Sequence, residues 1–275
     1  MPELPEVETL RRGLETHLVG RTITETRVRV AKMVKGTITD PDVFRENLYG
    51  VKFLSVDRRG KHLINALDCG YYLLFHLNMR GQLLVTSPDT PEAKYLAAAF
   101  ALSDGKELRF HDMWTWGEMR LVTPSELAAH PALRGMGPEP LSGNWTAEDL
   151  LTGLAKRPKS AVKAVLLDQA IVAGIGNIYA DESLHRAAIQ PLRPAGSLSA
   201  DEAEALHREI RCVLTEAVEG GGTTSDNYVD AEGRIGRFEP RVYDRDGQPC
   251  VSCGKALTGI RVTGRGTVYC ASCQK

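Results

Sequence analysis

Two cysteine pairs, Cys250-x2-Cys253 and Cys270-x2-Cys273, stand sixteen residues apart and constrain the C-terminus of the chain more tightly than any other feature. The spacing suits a tetrahedral zinc site on a β-hairpin, each pair sitting on a tight knuckle. A redox pair or a chance cluster is the weaker alternative. Four thiolates leave no open coordination position, so the expected single zinc ion is structural and not catalytic. It stiffens a hairpin too short to hold itself. Between the knuckles lies Gly264-Arg265-Gly266-Thr267, where an arginine between glycines can approach a phosphate closely or stand as a solvated turn residue. Cys69 and Cys212 are isolated and read as ordinary buried or spare cysteines.

Clustered cysteines of this kind bind metal in a reducing compartment. The N-terminus, MPELPEVETL, is acidic and amphipathic and lacks the basic-then-apolar order of a signal peptide. No stretch of about 18 apolar residues occurs, so no membrane span is expected and the expected place is the cytoplasm. A net charge of -1 argues weakly against nucleic-acid binding. The charge is segregated, however. From Arg241 to Lys275 six bases face two acids, and from Asp201 to Glu219 six acids face two bases. Segregation lets a nearly neutral protein own a basic face.

With 275 residues, 43% of them hydrophobic, two domains are expected. Leu4, Val7, Leu10, Leu14 and Leu18 recur at helical spacing, giving an amphipathic helix from Glu3 to about Val19. Short β-like runs follow at Thr22 to Val30, Lys52 to Arg58, Leu63 to Leu67, Tyr71 to Leu77, Gln82 to Thr86, Ala97 to Leu102, Glu107 to Phe110 and Glu118 to Leu121. Gly, Asp, Asn and Pro punctuate many of the gaps, as antiparallel strands joined by turns require. The first 125 or so residues therefore read as a β-sandwich with a leading helix. Gly135-Met136-Gly137-Pro138-Glu139-Pro140 breaks the pattern. Helices are expected over Thr146 to Leu154, Ser160 to Gln169, Ala180 to Arg186 and Ala200 to Val218, then a glycine-rich mobile loop from Gly220 to Gly236, then β character around the cysteines.

Five motifs stand in order: MPELPEVET at the start, RRGK at 58–61, KSAVKAVLLDQ at 159–169, GIGNIYADE at 174–182 and the terminal CxxC…GRGT…CxxCQ. Together they resemble the formamidopyrimidine-DNA glycosylase (Fpg) family of the wider Fpg/Nei superfamily, from Met1 to Lys275. The PELPE start followed by VET is more similar to Fpg than to Nei. The resemblance implies an α+β protein: an N-terminal β-sandwich over 1–130, a helix–two-turn–helix domain over 131–219, a lesion-covering loop over 220–240 and a zinc finger over 241–275.

The same resemblance implies a bifunctional DNA glycosylase and lyase of base excision repair. It would excise oxidised purines such as 8-oxoguanine and formamidopyrimidines from double-stranded DNA, as a monomer. Met1 is removed and Pro2 attacks C1′. An α-amine has a pKa near 8, against about 10.4 for lysine, so more of it is nucleophilic at neutral pH. A secondary amine forms a cationic iminium with the opened sugar, an electron sink for β-elimination. Glu3 acts as general acid/base, Glu6 orients that region, Lys61 contacts phosphate and assists, and Arg265 serves the δ-elimination. Lys159, Lys163 and Asn177 face DNA, Asn177 reading as a helix N-cap that also binds phosphate. Ile178 and Tyr179 read as core. Thr223, Thr224 and Tyr228 belong to the loop over the flipped base.

The chain departs from the family where a DPRRFG segment is expected. It reads Asp112-Met113-Trp114-Thr115-Trp116-Gly117, with Trp114 at the arginine position and Trp116 at the phenylalanine position. Met79 fits the methionine that joins them, and Tyr95 stands where a histidine is expected. Tryptophan can wedge between bases but cannot match arginine's hydrogen bonds to the orphaned base. Core packing is the competing reading of both tryptophans. A Nei-like preference for oxidised pyrimidines, or a non-catalytic damage-binding module, are the alternatives. The second leaves Pro2, Glu3, Lys61 and Arg265 without a purpose.

Overall fold

The computed structural model describes residues 1–224 and 228–275, so residues 225–227 of the expected loop lie outside the described residues. The chain forms two compact units, one of Met1–Arg134 with Gly220–Arg237, the other of Gly135–Glu219 with Phe238–Lys275.

The first unit opens with helix α1, Leu4–Leu18. Pro5 sits in its first turn, where its missing N–H costs nothing. Glu3 and Glu6 close a reciprocal capping box at the helix start. Leu4, Val7, Leu10, Leu14 and Leu18, the apolar stripe, are all buried. The strands are β1 (Ile23–Val28), β2 (Val34–Lys35), β3 (Phe53–Arg59), β4 (His62–Leu67), β5 (Tyr72–His76), β6 (Gly81–Thr86), β7 (Leu96–Leu102), β8 (Glu107–Asp112) and β9 (Glu118–Val122). They form a four-stranded sheet, β1-β7-β8-β6, and a five-stranded sheet, β2-β9-β5-β4-β3. All pairs are antiparallel except β2 with β9. Phe75 of β5 meets Phe100 of β7 and Phe110 of β8 edge to face, with ring centroids 5.9 and 5.6 Å apart. These contacts join the two sheets into the expected sandwich. Residues 41–48 form a helix the apolar pattern did not flag, α2 (Pro41–Leu48), capped by Asp40 and burying only Phe44 and Leu48. Helices α3 (Pro124–Ala129) and α4 (Pro131–Arg134) end the segment.

The second unit holds α5 (Ala147–Ala155), α6 (Val162–Leu166), α7 (Asn177–Arg186) and α8 (Ala200–Glu219), followed by the hairpin β10 (Thr258–Val262) and β11 (Arg265–Tyr269). Thr146 caps α5 through a capping box with Asp149. The α6 helix is half the length the sequence suggested. Leu150, Leu154, Val165, Leu166, Tyr179, Leu184, Ile210, Val213 and Leu214 are buried. Val242, Cys250, Leu257, Val268 and Cys270 form a separate small core under the hairpin. No helix among the described residues is long and apolar enough to cross a membrane.

Candidate active site and nucleic-acid interface

Pro2 and Glu3 lead into α1. Glu3 is 2% exposed and Glu6 is 1% exposed. Burying two carboxylates is costly unless their oxygens find donors. Glu6 Oε2 accepts the N–H of Glu3 at 2.8 Å and Oε1 accepts the N–H of Thr223 at 2.9 Å. Tyr228 Oη donates to the Glu6 carbonyl at 3.1 Å. Glu6 thus orients its surroundings and, being sealed, does not itself reach DNA. Thr223 and Tyr228 are buried while Thr224 is exposed. Tyr228 packs in the core with Val7 and Leu10, and that burial pushes its phenol pKa up. The described ends of the expected mobile loop are therefore anchored to α1. Its glycines do make the fold: a Cβ on Gly236 would stand 2.2 Å from the Gly222 carbonyl oxygen.

Lys61 lies in the two-residue turn between β3 and β4, where Gly60 takes a φ of 54°. Lys61 is 9% exposed. Arg58, on β3, ties this turn to α1. Its Nη1 donates to the Gly60 carbonyl at 2.9 Å and its Nε to Glu8 Oε2 of α1 at 3.2 Å. Glu8 also pairs with Arg11 and Arg12. Glu8 and Arg58 stand within the MPELPEVET and RRGK motifs, but the sequence assigns neither a role. Only the turn geometry shows their common task.

Met79 lies in the turn between β5 and β6, and Trp114 and Trp116 in the turn between β8 and β9; Asn78 and Arg80, which flank Met79, join the two turns through Trp116 and Trp114. Trp114 and Trp116 are exposed, their ring centroids 5.0 Å apart, so core packing does not explain them. Tyr95 is exposed beside Lys94, and its carbonyl accepts the N–H of Asp112 at 2.9 Å.

In the second unit α7 is the platform for the finger. Glu182, fully buried, accepts the N–H groups of Arg241, Val242 and Tyr243 at 2.9 Å each. Asp181 accepts from Val268 N at 3.1 Å and pairs with Lys163 Nζ at 2.7 Å. Lys163 also donates to Thr267 Oγ1 and to the Gly266 carbonyl, at 2.7 and 3.2 Å. Lys163 was expected at the DNA surface, but it is 0% exposed. An ion pair sealed inside the unit cannot meet a phosphate, and the residue instead fixes the start of β11. Asn177 was expected as an N-cap. The cap of α7 is Gly176, and Asn177 uses its Nδ2 on the Gly266 carbonyl at 2.9 Å. Ile178 and Tyr179 are core, and Lys159 is exposed. The hairpin turn is Thr263-Gly264, with φ of 48° and 78°, a pair suited to a tight two-residue turn. Arg265 begins β11 and is exposed.

The four cysteine Sγ atoms all lie within 4.8 Å of one another. Tetrahedral zinc at about 2.3 Å from each sulfur separates sulfurs by about 3.8 Å. Cys253 and Cys270 are 3.5 Å apart, so the set fits one zinc ion. Ser252 N donates to Cys250 Sγ at 3.4 Å, as a knuckle requires, and His185 Nε2 of α7 lies 3.5 Å from the same sulfur. Cys69 and Cys212 are exposed and stand apart.

Comparison with known proteins agrees along the whole chain. Three family models match: the formamidopyrimidine-DNA glycosylase N-terminal domain over 1–119, the formamidopyrimidine-DNA glycosylase H2TH domain over 136–228 and the zinc finger found in FPG and IleRS over 247–275. The chain is 42% identical to a formamidopyrimidine-DNA glycosylase of Desulforamulus reducens, covering 100% of this chain and 99% of the relative. It is 40% identical to that of Bacillus subtilis, over 100% and 99%. Among solved structures it resembles the Lactococcus lactis Fpg complexed with abasic-site DNA, with a TM-score of 0.91, 32% identity and 99% of each chain covered. It also resembles the Thermus thermophilus MutM (Fpg) protein, with a TM-score of 0.88, 40% identity and 99% and 98% covered. The chain belongs to the formamidopyrimidine-DNA glycosylase family.

Proposed function

We propose that this chain excises oxidised purines, 8-oxoguanine and formamidopyrimidines, from duplex DNA and then cleaves the strand. Once Met1 is removed, the Pro2 amine adds to C1′ of the damaged nucleoside and the base leaves with its bonding electrons. Ring opening gives a cationic iminium between Pro2 and C1′. Loss of a proton from C2′ then expels the 3′ phosphate, and a second elimination expels the 5′ phosphate. Glu3 moves the protons at the sugar. Lys61 holds a phosphate, and Arg265 serves the second elimination. Thr224, Lys159, Asn177 and Tyr95 contribute DNA contacts. Met79, Trp114 and Trp116 fill the space the flipped nucleotide leaves. The zinc ion holds the finger in shape and takes no part in a step.

The observation that carries the reading is the head of α1. A proline able to become the N-terminus precedes a glutamate that is 2% exposed, whose backbone is fixed by a second buried glutamate. A mere capping residue has no need of burial. We further infer a monomeric protein of the bacterial cytoplasm with the four segments 1–130, 131–219, 220–240 and 241–275 acting as sandwich, helical domain, lesion loop and finger.

Borohydride trapping tests the mechanism. Duplexes carrying 8-oxoguanine opposite cytosine, or an abasic site, are incubated with the protein and reduced. A covalent adduct on both, absent from protein extended at its N-terminus, is the expected result. An adduct on the abasic duplex alone moves the base preference toward oxidised pyrimidines. No adduct on either, with Met1 shown to be absent, removes the nucleophilic role of Pro2.

A further inference from the structure

Trp114 and Trp116 lie between β8 and β9 and are 39% and 58% exposed. Two large rings left to water in a rigid turn mark a contact surface. The turn is rigid because the Asp112 carboxylate accepts the N–H groups of Trp114, Trp116 and Gly117 at 2.9, 3.0 and 2.6 Å. A Cβ on Gly117 would stand 2.6 Å from the Phe110 ring, so the chain can pass there only as glycine. A second turn, between β5 and β6, is tied to the first: Asn78 Nδ2 donates to the Trp116 carbonyl at 2.5 Å. Two residues on, the Arg80 guanidinium lies over the Trp114 ring, 5.3 Å from its centroid. Among the described residues no carboxylate pairs with Arg80 and no acceptor takes its protons. Its five donors are uncommitted.

We propose that Arg80, carried on Trp114, reads the base opposite the excised nucleotide. The proposal rests on the glycosylase reading above. Extruding a nucleotide leaves a gap in the stack and an unpaired partner base. Aromatic rings entering that gap bring a guanidinium seated on one of them to the partner's edge. The turn that carries the tryptophans contains no arginine. The fork therefore comes from the neighbouring turn. An arginine fork offers donors only. On its pairing edge cytosine presents two adjacent acceptors, N3 and O2. Thymine separates its two acceptors by a donor, adenine has a single acceptor, and guanine has one acceptor beside two donors. On that edge a bidentate contact is thus possible with cytosine alone, and Arg80, facing the pairing edge across the gap, sets a preference for cytosine opposite the lesion.

The test uses the full-length zinc-loaded protein and duplexes bearing a tetrahydrofuran abasic analogue opposite C, T, A or G. Affinity is read by anisotropy, with tryptophan emission as a second signal. Wild type is expected to bind the C-opposed duplex more tightly than the A-opposed one by roughly tenfold, within what a bidentate arginine–base pair supplies. Arg80→Ala and Arg80→Lys should both bring the ratio to within about twofold, because lysine keeps the charge but not the fork. Tryptophan emission should quench on binding and quench less in Trp114→Phe. An unchanged C-to-A ratio in Arg80→Ala, or a ratio kept by Arg80→Lys, overturns the proposal. So does emission unmoved by DNA, which would assign the rings to a protein partner. If wild type forms no borohydride adduct and does not prefer the abasic duplexes to undamaged DNA, the glycosylase reading itself fails. An adduct together with an Arg80-independent ratio fails only this inference.

Discussion

The Glu6 carboxylate accepts the backbone N–H of Thr223 at 2.9 Å, joining residues 217 positions apart. Its other oxygen holds Glu3 beside the proposed nucleophile. One buried side chain therefore fixes both the head of α1 and the start of the loop segment. Glu6→Gln turns an amide donor toward one of two N–H groups that both need acceptors. Each such buried group left unsatisfied costs about 1–3 kcal/mol. The expected outcome is a lower melting temperature and a borohydride-trapping rate reduced between about ten- and a hundredfold through misplacement of Glu3. A variant that melts lower but traps at the wild-type rate would confine Glu6 to stability.

Lys163 and Asp181 make a sealed pair in the second unit, 2.7 Å apart and almost fully buried. Removing one partner strands the other charge, at a cost of about 3–5 kcal/mol. Lys163→Met should show that loss in denaturant melts, and Lys163→Met with Asp181→Leu should recover much of it. A lysine on a DNA phosphate behaves otherwise: its removal lowers the salt dependence of binding by about one unit of slope. Under conditions where the variant stays folded, the slope is expected to hold at its wild-type value. A reduced slope would return Lys163 to the DNA surface.

His62 and His76 stack with ring centroids 4.2 Å apart on neighbouring strands β4 and β5. His130, Glu118 and Arg120 line the same small space. Burial, then the charges of His76, His130 and Arg120, bring the His62 pKa down to about 3. Burial also dominates at His76, and with Lys61 it outweighs the opposing pull of Glu118 to give about 4. Unfolded, both titrate near 6.5. As pH falls through about 6.5 toward 4, the unfolded chain takes up protons that the folded one refuses. Stability is thus full above that range and declines within it, by up to about 1.4 kcal/mol per pH unit for each ring. His62→Phe keeps a stacked ring and removes one titration, so its melting temperature should fall less steeply with acid. Parallel slopes for variant and wild type would show that the pair does not control acid stability.

The cysteine set should carry one zinc per chain, measured by metal analysis of protein purified without added metal. Cys253→Ser leaves three thiolates, and the small core of Val242, Leu257 and Val268 has little else to hold it. The expected result is faster zinc release to a chromogenic chelator and weaker binding of abasic duplex. Zinc retention at wild-type rate in Cys253→Ser would mean that the four sulfurs do not act as one site.

Sequence alone determined the periodic and the local features. The stripe from Leu4 to Leu18 gave α1, because a 3.6-residue repeat has one buried face wherever it packs. Alternation and turn residues gave the eight strand runs, each of which matches a strand of the structure to within one or two residues at either end. The cysteine spacing gave the metal site, since two residues between ligands is itself the knuckle geometry. Tertiary structure decided what depends on partners far along the chain. Nothing local distinguishes Lys163, a buried structural cation, from Lys159, an exposed one, because Asp181 and Thr267 arrive from other elements. Asn177 has the composition of a cap but serves the Gly266 carbonyl of the finger hairpin. The segment from Gly220, glycine-rich and polar, looks free in sequence, yet Tyr228 is drawn into the core beside α1. Arg80 follows Met79 but nothing in the sequence gives it a role, and only the tie between two turns sets it on Trp114. Periodicity and ligand spacing are carried by neighbouring residues, whereas burial, ion pairing and stacking are properties of the space that folding creates.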